Sequence, residues 1–261
     1  MLDLHTHVLP GLDDGAADLA SSVAIAEQAV AGGVHTLVGT PHIREDYDVR
    51  PEELADRADA VQAELDRLGL PLRVLPGGEL AMTKAAALSD AQLAMVSLAG
   101  GSRCILLETP YGPVPAAFEA TAFELQMRGY TPLVAHPERN ETLRRAPERL
   151  AALVERGVLL QITAGALVGG MGRDTGRFSA KLIDRGLAHV IASDVHRAEG
   201  SRGSLAQARQ ALADRGLDAI GAWMTEAVPA ALISGRPVPE RPHVASERRL
   251  GRIWRRGRAR S

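Results

Sequence analysis

What most limits the fold of this chain is where its histidines and acids fall relative to its apolar runs. Six separate clusters occur: His5, His7 and Asp14 in LDLHTHVLPGLDDG, His42 in VGTPH, Glu79 in VLPGGE, Glu108 in CILLE, His136 in LVAHPER, and Asp194 with His196 in VIASDVH. Nearly every cluster ends a short apolar run. Imidazole nitrogens and carboxylate oxygens are donors that suit divalent transition metals such as zinc, manganese or iron. For these donors to meet, the ends of the runs must converge.

The runs at residues 2–5, 34–39, 72–75, 104–108, 131–135, 158–162 and 189–192 read as strands. Between them, residues 18–31, 51–68, 116–128, 147–156, 175–185 and 204–215 repeat near the helical period. Pro51, followed by Glu52 and Glu53, suits a helix start. Gly32, Gly69, Gly129, Gly157, Gly186 and Gly216 each follow a helical stretch, as caps do. Such alternation predicts an α/β fold with a parallel sheet. In an open doubly wound sheet, sites collect at one switch point that distant strands do not reach. A closed ring brings every strand's C-terminal end to one mouth. The expectation is a distorted seven-stranded (β/α)7 TIM-like barrel over residues 1–240. Only the sixth strand, ending at Gln161–Thr163, offers no metal donor.

Charge is unevenly spread. Net charge is -2, yet residues 241–261 hold eight Arg and one Glu, so the acid excess lies in the remainder. An acidic body argues against nucleic acid as the partner. The basic tail, with Leu250, Ile253 and Trp254 among its arginines, reads as a solvated, disordered end. A basic amphipathic helix for an anionic membrane or an acidic partner is the other reading. Cys104 is the only cysteine, which excludes an internal disulfide and suggests a reducing compartment. The N-terminus has no signal-peptide pattern, and no run is long enough to suggest a membrane span. A cytoplasmic location is expected. The Gly-rich stretch 165–176 lacks the Lys-Ser/Thr of a phosphate-binding P-loop. It reads as a mobile loop, or more sharply as a substrate gate.

His5 and His7 are two residues apart, so an extended strand points both rings to one face. Asp14 has a rival role, because Asp13-Asp14-Gly15 is also a good turn. Glu108 and Asp194 end apolar strands, where an unpaired carboxylate is costly to bury. His35 and His189 open strands and His243 lies in the tail, so these three read as surface or structural. Cys104 has Pro110 six residues later, not Arg, so a cysteine-nucleophile phosphatase loop is absent and Cys104 reads as core. No Gly-x-Ser-x-Gly elbow appears. The attacking group is therefore expected to be water, activated by two or three divalent ions. Arg139 and Arg202 are the candidate catalytic arginines for the oxygens of a phosphoryl group.

These motifs resemble the polymerase and histidinol phosphatase (PHP) superfamily. Within it, LDLHTHVLPGLDDGA, GTPH, PGGEL, ILLETP, AHPER and ASDVH are most similar to the bacterial protein tyrosine phosphatases of capsule and exopolysaccharide loci. The resemblance covers most of residues 1–235. It implies a (β/α)7 barrel with a trinuclear centre, often manganese, with iron or zinc as alternatives. Carried over by motif, His5, His7, Glu79 and Asp194 would hold one ion. Glu79, Glu108 and His136 would hold a second, and Asp14, His42 and His196 a third. The family's phosphate-contacting arginines would fall at Arg139 and Arg202. The implied substrate is a phosphotyrosine protein, by analogy a bacterial tyrosine kinase. Ile43 and Asn140 depart from the family, which often has His and an aromatic there, and the Asp194–Arg202 spacing is longer. A small-molecule phosphatase of the histidinol-phosphate type and a non-catalytic, metal-holding regulatory barrel are the alternatives.

Overall fold

The structure, a computed structural model, describes residues 1–200 and 202–243. Among the described residues, nine short strands are β1 (Leu2–Thr6), β2 (Thr36–Gly39), β3 (His42–Ile43), β4 (Arg73–Pro76), β5 (Glu79–Leu80), β6 (Cys104–Leu107), β7 (Thr131–Val134), β8 (Leu159–Thr163) and β9 (Val190–Ala192). The α-helices are α1 (Leu19–Ala31), α2 (Leu54–Leu68), α3 (Met82–Ala85), α4 (Asp90–Val96), α5 (Ala117–Met127), α6 (Glu141–Arg145), α7 (Pro147–Glu155), α8 (Ala164–Leu167), α9 (Arg173–Asp184), α10 (Leu205–Ala213), α11 (Asp218–Ala222) and α12 (Val228–Ile233). The chain is an α/β fold with parallel sheets, as expected.

Two sheets form, with orders β1-β2-β4 and β3-β5-β6-β7-β8-β9, and every ladder is parallel. The sheets meet where two runs are interrupted. Thr40 and Pro41 separate β2 from β3, and Gly77 and Gly78 separate β4 from β5. Each break comes just before an expected donor, His42 or Glu79, and these two are paired in register. The first strand also meets the last. Thr6 bridges Val195 in parallel, His7 N donates to the Val195 carbonyl at 2.9 Å, and Asp194 N donates to the His5 carbonyl at 2.9 Å. Asp3 Oδ1 adds a stitch by accepting from Ser193 N at 3.0 Å.

Strand sequences such as CILL and VIA are apolar throughout because parallel strands are covered on both faces. All residues of β6 and β9 are buried. The covering helices follow the 3.6-residue rule: in α2 the buried residues are Leu54, Ala58, Val61 and Leu65. Helix starts are set locally. Asp18 caps α1 by accepting from Ser21 N, and Ser89 and Ser204 form capping boxes with Gln92 and Gln207.

The structure departs from the sequence reading in several places. Residues 51–68 start as a 3-10 turn (Pro51–Glu53) before α2. The short helices α3, α4 and α6, and the α11–α12 stretch with its π-helical link Trp223–Ala227, had no counterpart in that reading. The signal for α4 was present as Ser89-x-x-Gln92. Cys104 is buried in β6, and burial pushes its thiol up to about 12. Among the described residues, no helix is long and apolar enough to cross a membrane. Residues 244–261, most of the expected basic tail, lie outside the described residues.

Candidate metal centre

All nine expected donors meet at one mouth. Four overlapping groups, His7/Asp14/His42/His196, His5/Glu79/His136, His5/His7/Asp194 and His42/Glu79/Glu108, each place their donor atoms within 4.8 Å of one another. Glu79 stands at the centre. Its Oε1 lies 2.8 Å from His136 Nε2, while Oε2 lies 3.2 Å from His5 Nε2, 3.7 Å from His7 Nε2 and 3.0 Å from His42 Nδ1. Asp194 Oδ1 lies 3.3 Å from His5 Nε2 and 3.4 Å from His7 Nε2. At the outer end, Asp14 Oδ1 is 3.6 Å from His42 Nε2 and 3.5 Å from His196 Nε2.

Three of the imidazoles have Nδ1 committed to an oxygen. His5 Nδ1 donates to Gln161 Oε1 at 3.0 Å, His7 Nδ1 to Asp13 Oδ2 at 2.6 Å, and His196 Nδ1 to the Asp194 carbonyl at 3.1 Å. The nitrogen left facing the cluster is Nε2, the one a bound cation would take in place of a proton. Gln161 Oε1 also accepts from His136 N at 3.3 Å. The sixth expected strand supplies no donor to the cluster but orients one. Two donors sit on strained backbone: His136 has φ 36° and Asp194 φ 55°, left-handed values that non-glycine residues rarely adopt. Each lies two residues past the end of its strand, β7 or β9, where the turn takes the side chain off the ladder toward the centre.

The electrostatics favour a cation. Glu79 is fully buried, and Glu79 Oε2 and His42 Nδ1, though 3.0 Å apart, make no well-aligned hydrogen bond to each other or to any other group. Buried polar atoms in that state are costly unless another group satisfies them. Burial and the Glu79 charge raise the Glu108 carboxyl. Burial opposes protonation of His5, but the Glu79 and Asp194 charges overcome it and raise the imidazole to about 9. Asp13 is lowered to about 2, because the His7 hydrogen bond and charge outweigh its burial. A donor set of imidazoles and carboxylates without thiolate fits a divalent transition ion.

Arg139 ends the 3-10 turn Pro137–Arg139, and its Nη1 donates to Asp194 Oδ2 at 2.5 Å. Arg144 Nη1 holds that turn through the carbonyls of Glu138 and Arg139, at 2.9 and 2.8 Å. Arg139 and Arg202 line the same cavity of about 430 Å³ with Asp14, His42 and His136. The Gly-rich stretch packs against the second arginine: a Cβ on Gly170 would come within 2.1 Å of the Arg202 carbonyl oxygen. Glycine there is a close-approach residue.

Four residues near the site were assigned no part in it by sequence. Asp13 and Gln161 orient histidines. Arg44 Nη1 donates to Glu108 Oε1 at 3.0 Å, and its other nitrogens bind Asp46 at 2.6 Å. Asn140 ties two loops together. Only Asp13 carried a local signal, the Asp-Asp-Gly turn: its Oδ1 accepts from Gly15 N at 2.9 Å while Oδ2 faces His7. His35 and His243 lie on the surface, and neither they nor His189 joins the cluster.

The family of capsular polysaccharide synthesis proteins CpsB/CapC matches residues 1–226. Tyrosine-protein phosphatase YwqE of Bacillus subtilis (strain 168) is 39% identical over 197 residues, covering 75% of this chain and 77% of that protein. The putative tyrosine-protein phosphatase CapC of Staphylococcus aureus is 34% identical over 199 residues, with coverage of 75% and 77%. Among solved structures, one from the work on YwqE from Bacillus subtilis and CpsB from Streptococcus pneumoniae, described as unique metal-dependent tyrosine phosphatases, superposes with a TM-score of 0.83. It is 34% identical and covers 94% of this chain and 99% of its own.

Proposed function

Since the chain belongs to the CpsB/CapC family of capsular polysaccharide synthesis proteins, we propose that it is a metal-dependent phosphomonoesterase acting on phosphotyrosine in proteins. The substrate on this reading is a bacterial tyrosine kinase of capsule or exopolysaccharide synthesis, and the enzyme works in the cytoplasm. One observation carries the reading: nine candidate donor residues from distant parts of the chain, Glu79 at their centre, come together beside an arginine that reaches Asp194.

In this reading His5, His7, Glu79 and Asp194 hold one ion, Glu79, Glu108 and His136 a second, and Asp14, His42 and His196 a third. Manganese is the proposed metal. Bound divalent ions supply a lowered water pKa and neutralise charge on phosphoryl oxygens. The chain's own residues do the rest. Glu79, with its oxygens turned to different histidines, spans two ion positions. Gln161, Asp13 and the Asp194 carbonyl fix the rings. Arg139, held by Asp194, and Arg202 on the same cavity take the non-bridging oxygens of the phosphoryl group. Residues 1–240 form the catalytic unit, with β2/β3 and β4/β5 each counted as one broken stave of a seven-stranded (β/α)7 barrel. The contacts of β1 with residues 194–195 support that closure.

Turnover of a phosphotyrosine peptide and of histidinol phosphate, each with manganese and with a chelator, tests the reading. The expected result is chelator-sensitive hydrolysis that favours the peptide. Full activity after exhaustive metal removal would reject metal dependence, and a preference for histidinol phosphate would reject the substrate.

A further inference from the structure

Tyr111 is a large aromatic residue left 69% exposed, yet its backbone is held on both sides. Asn140 Nδ2 donates to the Pro110 carbonyl at 2.8 Å and to the Gly112 carbonyl at 2.9 Å. Two residues before Tyr111, Thr109 Oγ1 donates to the Ala135 carbonyl at 2.5 Å. The ring is fixed as well. The Arg44 guanidinium lies 5.1 Å from its centroid and is itself bound by Asp46 and Glu108. An exposed loop aromatic held at so many points is set for a partner that the chain itself does not supply.

Its position says what that partner is. Two cavities meet at Tyr111, His136 and Arg139. One, of about 430 Å³, leads to the candidate metal donors; the other, of about 520 Å³, runs outward past Pro113 and Asn140. A phosphomonoester whose phosphoryl group lies at Arg139 has this junction open to its leaving group, past the Tyr111 ring. We propose that Tyr111 is the aromatic wall that receives the phenyl ring of the substrate, and that Asn140 is the positioning residue that holds this wall in place. Aromatic pairs favour offset or edge-to-face contact, and a preordered ring gains most because its own ordering cost is already met. Asn140 was marked by sequence only as a departure from the family pattern. Here it bridges the His136–Arg139 turn to the Tyr111 loop, and its Oδ1 separately caps α6 by accepting from Leu143 N at 3.2 Å.

This inference rests on the phosphotyrosine reading, so its test includes a measurement that needs no turnover. Affinities of phenylphosphonate and methylphosphonate for manganese-loaded protein are compared by calorimetry, beside kcat/KM on matched phosphotyrosine and phosphoserine peptides. Tyr111→Ala is expected to cut the phenyl-over-methyl preference about three- to tenfold, and Tyr111→Phe to restore it. Asn140→Asp keeps the helix-capping oxygen and loses both donated hydrogen bonds, so it should lower the same ratio with bound manganese unchanged. In the peptide assay the loss should appear in KM for phosphotyrosine. Equal losses for phenyl and methyl ligands, or no change in either, would overturn the aromatic wall. Wild-type protein that prefers phenylphosphonate but hydrolyses neither peptide would instead overturn the phosphatase reading and leave the wall standing.

Discussion

Asp13 and Asp14 are neighbours with different partners. Asp14 faces His42 and His196, whereas Asp13 closes the Gly15 turn and holds His7. Outer-shell carboxylates of this kind typically contribute ten- to a hundredfold to metal affinity. Asp13→Ala is therefore expected to weaken manganese binding by about that factor in equilibrium dialysis. Unchanged affinity would reduce Asp13 to a turn residue. Cys104 is the contrasting case: it touches no candidate donor and is buried in β6. Cys104→Ala should cost about 1 kcal/mol of stability through the lost sulfur packing. Its kcat on a phosphotyrosine peptide should stay within about twofold of wild type, and a collapse of kcat would reopen thiol chemistry. That the candidate donors come together was legible because nearly every cluster sits at the end of an apolar run. Gln161, Arg44 and Asn140 were not, since their roles depend on partners 25 to 156 positions away.

Among the elements, β9 shows how a strand can carry a pH dependence away from the site. His189 precedes it, accepting from Leu160 N at 3.3 Å through Nδ1. Burial, aided by the Arg241 charge and opposed by a ring N–H donated to the Leu187 backbone, pushes its imidazole down to about 4. The unfolded chain then binds a proton on His189 between about pH 6.5 and pH 4 that the folded chain does not. Its contribution to stability is complete above about pH 6.5 and falls as pH drops toward 4, by up to about 3 kcal/mol. Denaturant titrations of wild type and His189→Gln across that range should diverge toward acid, with wild type losing more. Parallel curves would show that the imidazole titrates normally in the fold. Sequence placed His189 at the start of a strand but gave no sign of its burial, which depends on Trp223 and residues near 241. Strand positions were readable from apolar runs. The two-residue breaks before β3 and β5 were not, because Thr40-Pro41 and Gly77-Gly78 look like ordinary strand ends until the ladder resumes.

Across the molecule, the donor cluster concentrates buried carboxylates from separate elements at one end of the sheets. A ligand that binds the folded state alone stabilises it by RT ln(1 + [L]/Kd), about 2.7 kcal/mol at a hundredfold excess over Kd. Chelator-dialysed protein should therefore melt at lower temperature than the same protein with added manganese, and Glu79→Gln should lose most of that difference. Identical melting curves with and without the ion would count against the proposed centre. Parallel layering was legible from the alternation of runs and helical stretches, and the meeting of β1 with residues 194–195 agrees with the inference that the donors need a ring. That meeting also orders events during synthesis. His5 and His7 are made long before Asp194 and His196. A nascent polypeptide arrested before Asp194 lacks both the carboxylate that joins the first two imidazoles and the backbone contacts that seat them. On the proposed reading, capture of ions waits until Asp194 and His196 have been made, and shorter translation products carry the earlier donors without the trap.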